Sequence, residues 1–273
     1  MTEQETIIRA LGVAPTFDAA QEARRRIDFL GTYLRESGLS AYVLGVSGGV
    51  DSLAAALLAQ KAVEELRASG HNARFLAVRL PYGRQADESD AQRALDTIRA
   101  DEVHRIDIKP AADAMLKSIK LADVELGDAG RVDFLLGNIK ARQRMIAQFA
   151  LAATNRGLVI GTDHAAEALM GFFTKFGDGA ADVLPLSGLN KRRVRALAAH
   201  LGASPALVDK VPTADLENLV PLRPDEDAYG VTYEQIDDFL EGKEIDDAAQ
   251  RRILHVYSGT AHKRALPVTP DFS

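Results

Sequence analysis

The 273-residue chain contains no cysteine. That absence removes disulfides, thiolate metal sites and any cysteine nucleophile. No apolar run approaches the roughly 20 residues that would span a bilayer. The opening MTEQETIIRA is polar and acidic and lacks the apolar stretch of a signal peptide. There is no repeat of solenoid period and no low-complexity linker. Positive charge is in deficit: the net charge of −6 argues against a broad nucleic-acid-binding surface. A chain with 47% hydrophobic and 26% charged residues has the composition of a globular enzyme. It is expected to be cytoplasmic, to fold as a single domain over residues 1–273, and to have neither nucleic-acid nor membrane partners.

Four short apolar segments, 42–46, 73–80, 103–108 and 158–161, read as buried parallel strands, because strands covered by helices on both faces need not alternate. Helical patterns lie between and after them at about 51–69, 87–100, 110–120 and 131–155. The β-α-β-α order predicts a doubly wound, Rossmann-like α/β fold with a mostly parallel sheet and helices on both faces. Two polar loops, PYGRQADESD at 81–90 and a proline-rich, acidic stretch at about 202–227, have the composition of active-site lids. T-Y-E-Q at 232–235 fits a capping box that opens a helix.

The densest chemical signal is GVSGGVDS at 45–52, between the first strand and its helix. Gly45, Gly48 and Gly49 let the backbone turn sharply and approach a ligand. The amides of 47–52 would point outward at the positive end of a helix, and Ser47 and Ser52 add hydroxyl donors. This is a site for an anionic phosphate. It departs from G-x-x-x-x-G-K-[ST] because no lysine follows the second glycine, and from G-x-G-x-x-G. Asp51 would repel a phosphate unless a cation such as Mg²⁺ lay between them. A plain structural turn, with Asp51 as a partner of the helix dipole, is the alternative.

SGGVDS also resembles the signature loop of the ATP pyrophosphatases, which cleave ATP between the α- and β-phosphates. Within that superfamily GNIKARQRM (137–145), GTDHAAEALMGFFTKFGDGAADVLPL (161–186), LNKRRVRAL (189–197) with VPTADL (211–216), and TAHKR (260–264) resemble the ammonia-dependent NAD⁺ synthetases. The similarity runs from about residue 20 to the C-terminus. It implies an ATP-dependent amide ligase that converts nicotinic acid adenine dinucleotide (deamido-NAD⁺) to NAD⁺ with ammonia, with ATP as co-substrate, Mg²⁺ as cofactor and a homodimer as the working form.

By that resemblance, Gly45, Val46, Ser47, Gly48, Gly49, Val50, Asp51, Ser52, Arg79, Gln85, Thr162, Lys191 and Thr213 contact ATP. Asp51 and Glu167 hold the metal. Arg142, Lys175, Asp182, His262 and Lys263 contact the dinucleotide, and Asp51 and Asp178 are the catalytic candidates, Asp178 as a base or ammonium-binding group. Arg142 shares a helix face with Asn138, four residues away. His164 has no second histidine at ligand spacing and reads as a hydrogen-bonding or capping residue. Gly179-Ala180 stands where relatives often carry two glycines. The absent cysteine points to free ammonia, since glutamine-dependent relatives use a thiol-bearing amidase domain. Two alternatives stand beside this reading: another ATP pyrophosphatase acting on a different acid, and a nucleotide-binding regulatory module.

Overall fold

The structure is a computed structural model of the chain and describes residues 1–83, 88–213, 219 and 223–270. Gln85 and parts of both polar loops lie outside the described residues. The first half runs α1 (Glu3–Ala10), α2 (Ala19–Ser37), β1 (Ala41–Gly45), α3 (Val50–Ala68), β2 (Arg74–Arg79), α4 (Glu88–Ile98), β3 (Glu102–Arg105), α5 (Lys109–Leu121) and α6 (Ala129–Thr154). After β4 (Gly157–Val159) the named elements of the described residues are helices: α7 (Ala165–Met170), α8 (Lys191–His200), α9 (Pro205–Val208), α10 (Asp225–Tyr229), α11 (Tyr233–Leu240), α12 (Asp247–Gly259) and α13 (Ala261–Arg264).

The four strands form one parallel sheet in the order β3-β2-β1-β4. Side chains alternate across it, and both sides are apolar. Tyr42, Leu44, Phe75, Ala77 and Leu158 pack with α2, α3 and α8 on one face. Ala41, Val43, Leu76, Val78 and Val159 meet Ala147, Phe149, Leu151 and Ala152 of α6 on the other. This two-sided burial explains why the strands read as apolar runs rather than as an alternating pattern. A further apolar cluster joins α1, α7, α10, α11 and α12 through Leu169, Met170, Tyr229 and Phe239.

β3 differs from expectation. It covers Glu102–Arg105 and alternates between half-buried and exposed, with Val103 53% exposed. It is the sheet's outer strand and pairs with β2 alone, so one of its edges has no strand to cover it. Ile106 still donates to Arg79 O, but Ile108 already turns into α5 as its N-cap residue. The expected capping box is present: Thr232 Oγ1 accepts from Gln235 N at 3.2 Å, while Gln235 Oε1 accepts from Thr232 N at 2.9 Å.

Phe75 sits at zero exposure in the larger face of the core. Removing a buried aromatic ring loses its transfer free energy and leaves a cavity the packed sheet cannot fill. Phe75→Ala is expected to lower unfolding stability by about 3–5 kcal/mol in urea titration; a loss below about 1 kcal/mol would show that this face is not rigidly packed.

Candidate active site

The chain steps from β1 to β2 and β3 on one side and to β4 on the other, so the order of the sheet reverses between β1 and β4. Loops at the carboxyl ends of those two strands diverge there and leave a crevice. A cavity of about 410 Å³ opens at this point, lined by the 45–52 loop, Gly161 and Thr162 after β4, and one face of α6.

The loop has the geometry of an anion cradle. Gly48 has φ +86°, and a Cβ there would lie 2.9 Å from the Ala91 amide, so glycine is required twice over. Gly49 is the N-cap of α3, and no side chain caps the helix. The first amides of α3 therefore have no partner within the helix and face the crevice. Ser47 and Ser52 hydroxyls lie 3.1 Å apart and brace the turn. Not every residue assigned to this loop offers its amide: Gly45 N donates to Gln148 Oε1 at 2.7 Å, and Val46 N donates to Val78 O.

Four ionisable side chains crowd the mouth of the loop. Lys191, 1% exposed, donates to both oxygens of Asp51 at 2.9 and 2.7 Å. His164 Nε2 lies 3.4 Å from Asp51 and 3.6 Å from Glu167. Burial alone would raise the Asp51 carboxyl, but Lys191 and His164 outweigh it and hold the group well below the usual carboxylate range. Glu167 goes the other way: burial, with the Asp51 charge adding to it, pushes it up to about 8. His164 is raised, because Glu167 and Asp51 together overcome its burial. The ring caps α7, accepting from Glu167 N at Nδ1, so its Nε2–H is directed at the two carboxylates.

Lys191 is held from behind. It opens α8, whose first amides at Lys191 and Arg192 donate to the buried Asp237 carboxylate of α11 at 3.0 and 2.7 Å. Thr162, Thr213 and Asp178 line the same cavity. Asp178 accepts from Thr174 N at 3.0 Å. Asp178 is exposed at the cavity wall, and the protein packed around it raises its carboxyl above the usual range. Asp163 beside it is pushed up to about 7 by burial and by the Asp178 charge. Arg79 sits behind the loop rather than in the cavity wall, donating to Val46 O at 3.0 Å and pairing with Glu88 at 3.2 Å.

Most of the residues assigned to the dinucleotide meet at one rim. Arg142 of α6 donates to Lys175 O, Lys175 Nζ donates to His262 O, and Lys263 donates to Gly171 O and Phe173 O. Three segments distant in sequence are thereby joined, and Lys263 reaches the cavity itself. Asp182 stands apart from them: its carboxylate accepts from Val159 N at 2.7 Å and ties the segment to β4.

Sequence reasoning missed several wall residues. Phe134, Gly137, Ala141, Arg144 and Gln148 of α6 line the cavity with Asn138. Their three- and four-residue spacing marks one helical face and was available as a signal. Asp225, which accepts from Tyr233 OH at 2.9 Å, and Lys210 carried no such pattern.

Comparison with known proteins agrees with this geometry. The NAD synthase family model matches residues 22–267. The NH(3)-dependent NAD(+) synthetase of Burkholderia pseudomallei (strain 1106a) is 64% identical over 97% of this chain and 94% of its own length. A crystal structure of NAD+ synthetase from Burkholderia pseudomallei superposes with a TM-score of 0.84 at 62% identity, covering 97% of this chain and 96% of that one. An NMN synthetase from Francisella tularensis gives 0.81 at 36% identity, covering 94% and 100%. A glycine-serine loop with the geometry of an anion cradle, at the sheet's switch point and flanked by half-buried carboxylates and a buried lysine, thus sits in a chain that belongs to the NAD synthase family.

Proposed function

We propose that this cavity is where the chain joins ammonia to the nicotinate carboxylate of deamido-NAD⁺ at the expense of ATP. The carrying observation is the pairing of free helix-terminal amides in the 45–52 loop with Asp51, Glu167 and Lys191 at its mouth. A binding module has little use for two half-buried carboxylates beside a phosphate cradle; a ligase that stabilises a charged leaving group does. As a member of its family, the chain is an ATP-dependent amide ligase that makes NAD⁺ with ammonia. The cavity reaches from the loop to Lys263, and the C-terminal helices wall it as the sheet does, which supports reading residues 1–273 as one domain.

A carboxylate is a poor electrophile, so one of its oxygens first attacks the α-phosphorus of ATP. The bond from that phosphorus to the α–β bridging oxygen breaks, and pyrophosphate leaves with the electron pair. Ammonia then attacks the acyl carbon, and AMP departs. The chain's share is positioning and charge balance. Loop amides hold phosphate oxygens, and Lys191 supplies a cation at the α3 terminus. Asp178 accepts the proton that ammonium must lose, helped by a raised pKa that brings it nearer the working pH. Lys175, Arg142 and the 262–263 pair hold the dinucleotide at the rim.

The carboxylates fit a hard divalent cation. Asp51, His164 and Glu167 offer atoms within 4.8 Å of one another, and the protonated Nε2 of His164 leaves the two carboxylates as the oxygen donors that Mg²⁺ prefers. Bound there, the ion would neutralise phosphate charge. In protein shown by circular dichroism to be folded, Asp51→Asn or Glu167→Gln should lower pyrophosphate release with ATP, Mg²⁺, ammonia and deamido-NAD⁺ by about 100-fold or more; near-normal release would refute the ligand assignment. Nicotinic acid mononucleotide run in parallel should be the poorer acid.

The same carboxylates set a pH dependence. Between about pH 4.5 and 8 the folded chain keeps on Glu167 a proton that the unfolded chain has lost. Stability of the metal-free protein therefore falls as pH rises through this window, by up to about 1.4 kcal/mol per unit. Urea titrations should show that slope reduced in Glu167→Gln; identical pH profiles would show that Glu167 ionises normally.

The homodimer is part of this reading. Phe134 and Ile146 on α6 are 63% and 52% exposed, and Phe29 and Tyr33 stack 6.1 Å apart, partly exposed, on α2. Exposed apolar residues on the helix that carries Arg142 support a two-fold interface beside the dinucleotide rim. Light scattering should give about twice the 29.5 kDa chain mass, and Phe134→Glu with Ile146→Glu should yield monomers with weakened dinucleotide binding. A wild-type monomer that binds the dinucleotide normally would end this part of the proposal.

A further inference from the structure

Lys210 lies between α9 and Thr213 and, like Lys191, lines the cavity. Its Nζ is 2.9 Å from Asp90 and 3.4 Å from the carbonyl oxygen of Gly48. Two lysines from the C-terminal half thus flank the 45–52 loop. Lys191 stands at Asp51, in the first turn of α3, and Lys210 stands at Gly48, where the loop abuts the first turn of α4. Each is held by a carboxylate, but the two ion pairs differ. In the first, Lys191 is 1% exposed and engages both oxygens of the half-buried Asp51. Asp90 has a second cation, Arg93, on its other oxygen, and the Lys210 side chain is 20% exposed. Releasing Lys210 therefore leaves Asp90 still paired, whereas releasing Lys191 would strip a buried charge.

Resting on the reading of this cavity as an ATP site, we propose that Lys210 binds the β- and γ-phosphates of ATP, and hence the pyrophosphate leaving group, exchanging Asp90 for them when nucleotide enters. As the bond between the α-phosphorus and the bridging oxygen breaks, negative charge grows on the departing pyrophosphate. Lys210 keeps its proton and donates N–H bonds to that charge, while Lys191 serves the other flank of the loop. Phosphate oxygens are strong acceptors for an ammonium, so the exchange replaces one charge-assisted contact by others.

Calorimetric titration with Mg²⁺ present, using ATP, pyrophosphate and AMP as separate probes, tests the assignment. AMP has no β- or γ-phosphate and serves as the internal control. Lys210→Met should weaken ATP and pyrophosphate by about tenfold or more, the effect of losing one charge-assisted hydrogen bond, and leave AMP within about twofold. Lys210→Arg, which keeps the charge and guards against misfolding in the methionine variant, should retain pyrophosphate binding. Asp90→Asn should bind ATP as well as wild type or more tightly, since a competitor for Lys210 is removed. Equal weakening of AMP and ATP by Lys210→Met would overturn the proposal. So would an Asp90→Asn variant as impaired as Lys210→Met, because the pair would then be a structural latch. Wild-type protein that bound none of the three probes would instead overturn the reading of the cavity itself.

Discussion

The ion pair between the buried Lys191 and the half-buried Asp51 is the contact on which the site's arrangement turns. Taking both charges out of water costs several kcal/mol per ion, and their attraction repays this only when geometry and hydrogen bonding are good. Here both Asp51 oxygens are engaged by one ammonium, and His164 stands 3.4 Å away. Such a pair is weak evidence for stability. It makes better sense as charge stored at the mouth of a loop with the geometry of an anion cradle. Glu167, too poorly solvated to ionise easily, completes a cluster whose charge depends on what is bound.

Much of the C-terminal half serves to hold that cluster in place. Asp237 of α11 bonds the first amides of α8 and so fixes where Lys191 begins. Asn190 caps α8 and donates to Glu241 at 2.9 Å. Tyr233 lays its ring 5.0 Å from Lys191 Nζ and donates its hydroxyl to Asp225. The sheet supplies the cradle and the helices after β4 supply the cations, so the loop's anion site gains its counter-charges only when the two packed layers meet.

The reading of the fold from the chain succeeded where physical signals are local. The β-α-β-α order, the tight glycine-serine turn from β1 into α3 and the 232–235 capping box each rest on residues within one or two turns of each other, and the structure has all three. β3 was misjudged because burial of a strand depends on its place in the sheet: Val103 looks like core in sequence and lies on an open edge. The α6 wall of the cavity was half seen, through Asn138 and Arg142, although Arg144 and Gln148 lie on the same helical spacing.

What the sequence by itself determined is the chemistry available: a glycine-serine loop before a helix, carboxylates at the ends of the first and fourth strands, and no thiol. Periodicity and turn-forming residues encode those features locally, and the family motifs add their order. Tertiary structure alone decided which groups share an environment. It set Lys191 against Asp51 across 140 positions of chain, brought His164 Nε2 to 3.4 Å from Asp51, used the amide of Gly45 to hold Gln148, and seated Lys210 between Asp90 and Gly48. Charge pairing, desolvation and the pKa values that follow depend on distances of a few ångströms between elements far apart in sequence, and only packing sets those distances.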